Sequence, residues 1–112
     1  KRAKQCTNYI IDRYKNIHGI ISIGIAGALS PKVRIGDIII GSTIIDYSCD
    51  GVSTELRGNN FLHIYDPKEF IQYGEIFCSD SFISNIQLKE EIYKNFGALC
   101  VEMESAGILI KL

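Results

Sequence analysis

Hydrophobic and polar positions along the chain follow two different spacings, and each change of spacing marks an element. Ala3, Cys6, Ile10, Arg13 and Tyr14 fall at steps of three and four, which places them on one face of a helix ending near Lys15-Asn16. From Gly19 to Leu29 the chain is uncharged and rich in isoleucine, with Gly24 and Gly27 at its end. Such a β-branched run predicts a strand buried on both faces inside a parallel sheet. The two glycines let the backbone turn sharply and let another group approach it closely. Ser30-Pro31 is a turn. Val33 to Gly36 leads into a second strand over Asp37 to Ile40, continuing through Thr43 to Tyr47. Ser48 to Asn60 has no period and reads as a loop or flap, and Phe61 to Phe70 as a short strand and a turn. Tyr73 to Cys78 is a third strand. Leu88, Ile92 and Phe96 stand four apart, predicting an amphipathic helix over Gln87 to Phe96 with Gly97 as its C-cap. Ala98 to Val101 reads as a fourth short strand, and Met103 onward as helix. Strands alternating with helices predict an α/β fold rather than a sandwich or a bundle.

Composition narrows this picture. The 112 residues suit one small domain or part of a larger one, and 46% hydrophobic content is enough for a packed core. A formal net charge of -1, with no block of Lys or Arg, argues against a nucleic-acid or acidic-membrane partner. No apolar run approaches the roughly 18 residues of a membrane span, and no secretory signal opens the chain. Cys6, Cys49, Cys78 and Cys100 are scattered without a C-x-x-C pair, so neither a zinc knuckle nor a redox dithiol is indicated. No metal or cofactor is expected, and reduced thiols fit a cytoplasmic protein. Both ends fall inside helical patterns, so the chain is expected to be a piece of a larger fold.

Three candidate sites lie at the ends of predicted strands: the Gly24 to Gly27 turn, Ser79 to Ile83, and Val101 to Ser105. Parallel strands would bring all three to one rim, where ligands collect in open α/β sheets. The glycine turn presents backbone N–H groups to a hydroxyl, a water or an anion, or is simply a tight connection. It is not G-x-G-x-x-G and no P-loop lysine follows, which disfavours mononucleotide phosphate. Glu102 and Glu104 flank Met103 where strand becomes helix. A carboxylate there has two oxygens to match a ribose cis-diol, and the soft Met103 suits a sugar or ring face. A solvated pair of first-turn acids is the plainer alternative. Phe82 either stacks on a planar base or belongs to the core. Asp37 and Asp80 read as turn or capping acids. His18 and His63 stand at no ligand or triad spacing, and Ser22 and Ser105 have no recognisable histidine partner.

Taken together, three segments resemble the purine nucleoside phosphorylase and nucleosidase superfamily, most of all the 5'-methylthioadenosine/S-adenosylhomocysteine nucleosidases. They are Ile20 to Leu29 followed by Ser30 to Ile40; Gly74 to Ile83; and Gly97 to Ala106, which contains Val101-Glu102-Met103-Glu104. The resemblance implies a partial phosphorylase/hydrolase-like fold with a mixed central sheet flanked by helices, in one incomplete domain over residues 1–112. It implies that Glu104 binds the ribose 2'- and 3'-hydroxyls, that Met103 packs on the sugar, and that Glu102 is secondary. Phe82 would stack on the purine, the main chain of Ile83 would read the base edge, and Ala26 and Gly27 would line the pocket floor. The implied reaction is cleavage of the N-glycosidic bond of an adenosine-type nucleoside through an oxocarbenium-like ribose. A small-molecule nucleoside partner and a homo-oligomer go with it.

Departures from the pattern qualify the activity. Phosphorylases of the bacterial hexameric type place an Arg two residues before the first turn glycine and a Ser directly after it, where this chain has Ser22 and Ile25. A phosphate nucleophile would lose a guanidinium and a hydroxyl, whereas water needs neither. Hydrolysis is therefore expected over phosphorolysis. Ile25 also replaces the small or hydroxylated residue common in the nucleosidases. The family's water-positioning Glu would precede Lys1 and its purine-protonating Asp would follow Leu112, so no catalytic acid is expected within this chain and the polypeptide alone is expected to be inactive. A nucleoside-binding relic is the remaining alternative. The stretch between Cys49 and Gln72 is shorter than the family's, which would leave the pocket open on that side.

Overall fold

The β-branched run from Ile38 and the stretch from Ile71 form the two longest strands, and the rest is arranged around them. The structure is a computed structural model that describes residues 2–47, 53–56 (backbone only) and 68–109. In chain order the elements are α1 (Arg2–Arg13), β1 (Gly27–Ala28), β2 (Ile38–Tyr47), β3 (Ser53–Leu56), β4 (Ile71–Ser79), α2 (Ile86–Phe96), β5 (Cys100–Glu102) and α3 (Ser105–Leu109). The sheet has the order β1-β5-β4-β2-β3. β2, β4 and β5 are parallel, while β3 on β2 and β1 on β5 are antiparallel, so the sheet is mixed.

Side chains alternate across this sheet and give two cores, as a period of two requires. One row runs through Ile45, Phe77 and Val101, which are opposite one another in the ladders. It packs with Leu29, Ala98 and Ile92 of α2, while Ile83, Tyr93 and Phe96 close the cluster. The Phe77 ring lies 5.4 Å from Tyr47 and 5.2 Å from Phe96. On the opposite face Ile44, Ile76 and Cys78 pack against Ala106 and Leu109 of α3. α1 lies against α3.

The expected second strand forms one residue later, at Ile38–Tyr47, and the third strand and the Gln87 helix form with slightly longer bounds. α2 begins at Asn85, whose Oδ1 accepts from Leu88 N at 3.0 Å. It ends at Gly97, left-handed at φ 69°, where glycine carries no Cβ penalty. The fourth strand falls slightly later than expected, at Cys100–Glu102. Asp37 is a turn acid: its Oδ2 accepts from Arg34 N at 2.8 Å and from Gln72 Nε2 at 3.2 Å.

Two expectations are corrected. The Gly19 to Leu29 run is not a doubly buried strand: only Gly27–Ala28 pair, and Ile23 and Ile25 are 90% and 98% exposed. β1 is the last strand of the sheet, so among the described residues nothing on its far side gives residues 20–26 a ladder to join. The buried side of α1 is also not the one expected. Thr7 is buried, whereas Cys6, Ile10, Arg13 and Tyr14 are exposed. The cause is the close approach of α3 at Gly107, where a Cβ would lie 3.1 Å from Lys4 N and 3.4 Å from Ala3 Cβ. The expected loop over 48–60 contains β3, and its remainder, with Cys49, lies outside the described residues. The strand and turn expected over 61–70, with His63, lie outside them as far as residue 67.

Candidate functional site

The site is built by two neighbouring parallel strands that end side by side. Cys78 of β4 is opposite Glu102 of β5, so Ser79 to Ile83 and Met103-Glu104 leave the same end of the sheet. The third segment reaches that end by a different route from the one expected. β1 runs antiparallel to β5 with Gly27 opposite Val101, so Ala26 and Gly27 approach the rim from the start of a strand, not from its carboxyl end.

On β4 the chain leaves the sheet through a turn in which Ser81 N donates to Ser79 Oγ at 3.2 Å. Ser79 is buried, while Phe82 beyond it is 81% exposed. The ring of Phe82 is thus not core, and it is open to a planar partner. Its neighbour Ile83 turns the other way and packs on the Phe77 cluster, anchoring the segment just before α2.

On β5 the two glutamates separate. Glu102 Oε2 accepts from Glu104 N at 2.9 Å, Ser105 N at 2.8 Å and Ser105 Oγ at 3.0 Å. It therefore caps the start of α3 from inside the turn. Its Oε1 is shut away from solvent and makes no hydrogen bond of ordinary length and angle. Glu104 is exposed, its Oε2 accepting from Met103 N at 3.2 Å, and Met103 is also exposed. One acid is committed to the fold and the other faces outward.

The thiols record the same asymmetry. Burial pushes Cys78 up to about 12; a backbone hydrogen bond at Ala106 opposes this, and the charges of Glu102 and Asp46 add to the rise. The Glu102 carboxylate repels a thiolate at Cys78 and so holds the proton on its sulfur. Burial, with the Glu102 charge, also raises Cys100 to about 11.

Lys89 is a neighbour of the site that sequence reasoning missed. A Cβ on Gly27 would lie 3.7 Å from Lys89 Nζ and 3.4 Å from Val101 Cγ1, ordinary contact distances, so that ammonium sits beside the glycine. The position of Lys89 in the first turn of α2 was legible, but its reach to β1 depends on a contact across the fold. Among the described residues no group of three or more His, Cys, Asp or Glu is placed to hold a metal ion. None of the described helices is long and apolar enough to cross a membrane.

The curated relatives combine hydrolytic and phosphorolytic enzymes. The chain is 32% identical over 114 residues to a 5'-methylthioadenosine/S-adenosylhomocysteine nucleosidase of Thermotoga maritima, covering 95% of this chain and 51% of that protein. It is 28% identical over 116 residues to a DeoD-type purine nucleoside phosphorylase of Thermoanaerobacter, covering 90% of this chain and 48% of the relative. The chain thus spans about half the length of these relatives. Among solved structures, the Helicobacter pylori 5'-methylthioadenosine/S-adenosylhomocysteine nucleosidase with butyl-thio-DADMe-Immucillin-A superposes at a TM-score of 0.79. That match is at 20% identity and covers 96% of this chain and 54% of the other. The Neisseria meningitidis enzyme with methylthio-immucillin-A gives the same TM-score at 22% identity, covering 96% and 55%. These likenesses establish the α/β fold with its mixed sheet. The family model of the phosphorylase superfamily matches residues 2–110, and the chain belongs to that superfamily.

Proposed function

We propose that this chain supplies the nucleoside-binding part of a nucleosidase that hydrolyses the N-glycosidic bond of an adenosine-type nucleoside, methylthioadenosine or S-adenosylhomocysteine. The observation that carries this is the side-by-side exit of the Phe82 and Glu104 segments from β4 and β5. An exposed aromatic ring and an exposed carboxylate at one rim suit the two halves of a nucleoside, a flat base and a sugar with paired hydroxyls. Phe82 stacks on the purine, a contact worth about 1–3 kcal/mol per base in nucleic-acid systems. Ile83 offers its main chain to the base edge, Met103 packs on the sugar, Glu104 accepts from the 2'- and 3'-hydroxyls, and Ala26 and Gly27 floor the pocket. A carboxylate beneath the ribose also favours the positive charge that builds as the glycosidic bond breaks. The groups that activate water and protonate the purine are assigned to none of these 112 residues. Ser22 and Ile25 at the glycine turn support water over phosphate as nucleophile. Assembly as a cytoplasmic homo-oligomer completes the reading, and light scattering of the full-length protein tests it.

The deciding experiment incubates the full-length protein with methylthioadenosine and with S-adenosylhomocysteine, with and without phosphate. Free adenine and a free ribose derivative are expected in both conditions, and a ribose-1-phosphate product would overturn hydrolysis. Titration calorimetry with a methylthio-analogue should show affinity lost on Phe82→Ala and on Glu104→Gln. Unchanged affinity in both variants would remove the site.

A further inference from the structure

The two acids around Met103 are not equivalent, and the difference assigns Glu102 a task of its own. Its Oε2 gathers three donors, the N–H of Glu104, the N–H of Ser105 and the hydroxyl of Ser105, all within 3.0 Å. Its Oε1 is buried. The ladder holds the Glu102 backbone opposite Cys78, which packs with the buried Ala106 of α3. Neither oxygen is therefore free to meet a ligand. Charge-assisted hydrogen bonds of this kind are roughly twice as strong as neutral ones, and three on one oxygen fix the turn closely. One of them ends on the main chain of Glu104, whose own side chain folds back onto Met103 N at 3.2 Å. The turn is thus a relay in which Glu102 fixes the Glu104 backbone and Glu104 then presents its carboxylate outward.

We propose that Glu102 is a positioning residue that sets the direction of the Glu104 carboxylate toward the ribose hydroxyls without touching the ligand. This rests on the nucleoside reading above. A ligand-contacting acid and a bracing acid have different signatures. A contacting acid loses its own share of affinity independently of Glu104. A bracing acid acts only through Glu104, so its loss disappears once Glu104 is disabled, since residues in one network are not additive.

The test uses a C-nucleoside analogue of adenosine and its 2'-deoxy form, whose carbon–carbon bond cannot be hydrolysed, bound to the full-length protein. The unaltered protein should prefer the ribo form by about 10- to 100-fold, the scale of hydrogen bonds to a charged group. Glu104→Gln should flatten that preference. Glu102→Ala should flatten it to a similar extent, the double variant should be no worse than Glu104→Gln alone, and Glu102→Asp, a good capping residue, should restore most of it. Amide exchange at Glu104 and Ser105 should quicken in Glu102→Ala while that at Val101 stays slow. Should the alanine variant not fold, Glu102→Gln is read in the same way. A Glu102 variant that lowers the melting temperature yet keeps the ribo preference would overturn the proposal, as would losses that add in the double variant. No preference in the unaltered protein would instead overturn the nucleoside reading, and the proposal with it.

Discussion

Replacing Phe77 with alanine should cost the fold about 3–5 kcal/mol. The ring is 1% exposed, and burying a side chain of this size is worth about 1.5–3 kcal/mol in transfer free energy alone. It lies 5.4 Å from the Tyr47 ring and 5.2 Å from the Phe96 ring, and each aromatic pair of this kind adds about 0.5–1.5 kcal/mol. Its flanking residues Ile45 and Val101 are pinned by ladders on both sides of β4, so the walls cannot close fully on the void. Against a total stability of about 5–15 kcal/mol, the loss is a large fraction. Urea unfolding of the full-length protein, followed by circular dichroism, reads it as a lower midpoint at unchanged slope. Phe77→Leu keeps much of the apolar volume but neither ring pair, and should lose about 1–3 kcal/mol, the range of the two pairs together. A loss below about 1 kcal/mol for Phe77→Ala, at unchanged slope, would refute the reasoning, because no fully buried ring at a core centre is removed so cheaply.

The ends of α2 and the buried thiols give further tests. Asn85→Ala removes the acceptor for Leu88 N and should cost about 1 kcal/mol in the same unfolding assay. Gly97→Ala forces an alanine into the left-handed region and should cost about 1–2 kcal/mol. At pH 8 a thiol reagent should label exposed Cys6 at once, with Cys78 and Cys100 labelled only as the protein unfolds. Cys78 keeps its proton to about 12 in the folded chain against 9.0 unfolded. Between those values the unfolded state binds fewer protons, so its contribution to stability is complete below pH 9 and is lost as pH rises toward 12. Cys78→Ala should flatten that alkaline decline, and an unchanged decline would remove the thiol as its cause.

How much of the molecule the sequence reveals depends on whether a signal is local. β2, β4 and α2 are legible because each carries its own cause: runs of isoleucine, the Ile76-Phe77-Cys78 apolar run, Leu88, Ile92 and Phe96 four apart, a glycine able to turn left-handed. The buried side of α1 is not legible, because apolarity points to Ile10 and Tyr14 while α3 approaches closely at a residue without a side chain, Gly107. Close approach there selects for what is absent from a side chain, and periodic hydrophobicity does not record it. The isoleucines before Gly27 fail for a related reason. Their pattern reports a preference for burial, but a strand exists only where a neighbour offers its ladder, and β1 is the last strand on that side of the sheet.

The same distinction separates the two glutamates, and it explains why a motif can point to a place without assigning its parts. Two acids two residues apart are alike in sequence, and nothing local says which turns inward. The ladder decides: Cys78 stands opposite Glu102, so this residue is the last held in the sheet and its side chain meets the start of α3. The chain leaves the sheet immediately afterwards, and Glu104 is carried out to solvent with Met103. On the neighbouring strand the order is the same, with Ser79 buried at the end of β4 and Phe82 exposed three residues later. Both strands therefore spend their last paired residue on rigidity and present the exposed group just beyond it. A flat ring and a carboxylate held this way at adjacent strand ends fit the nucleoside proposed above, which offers a face to one and paired donors to the other.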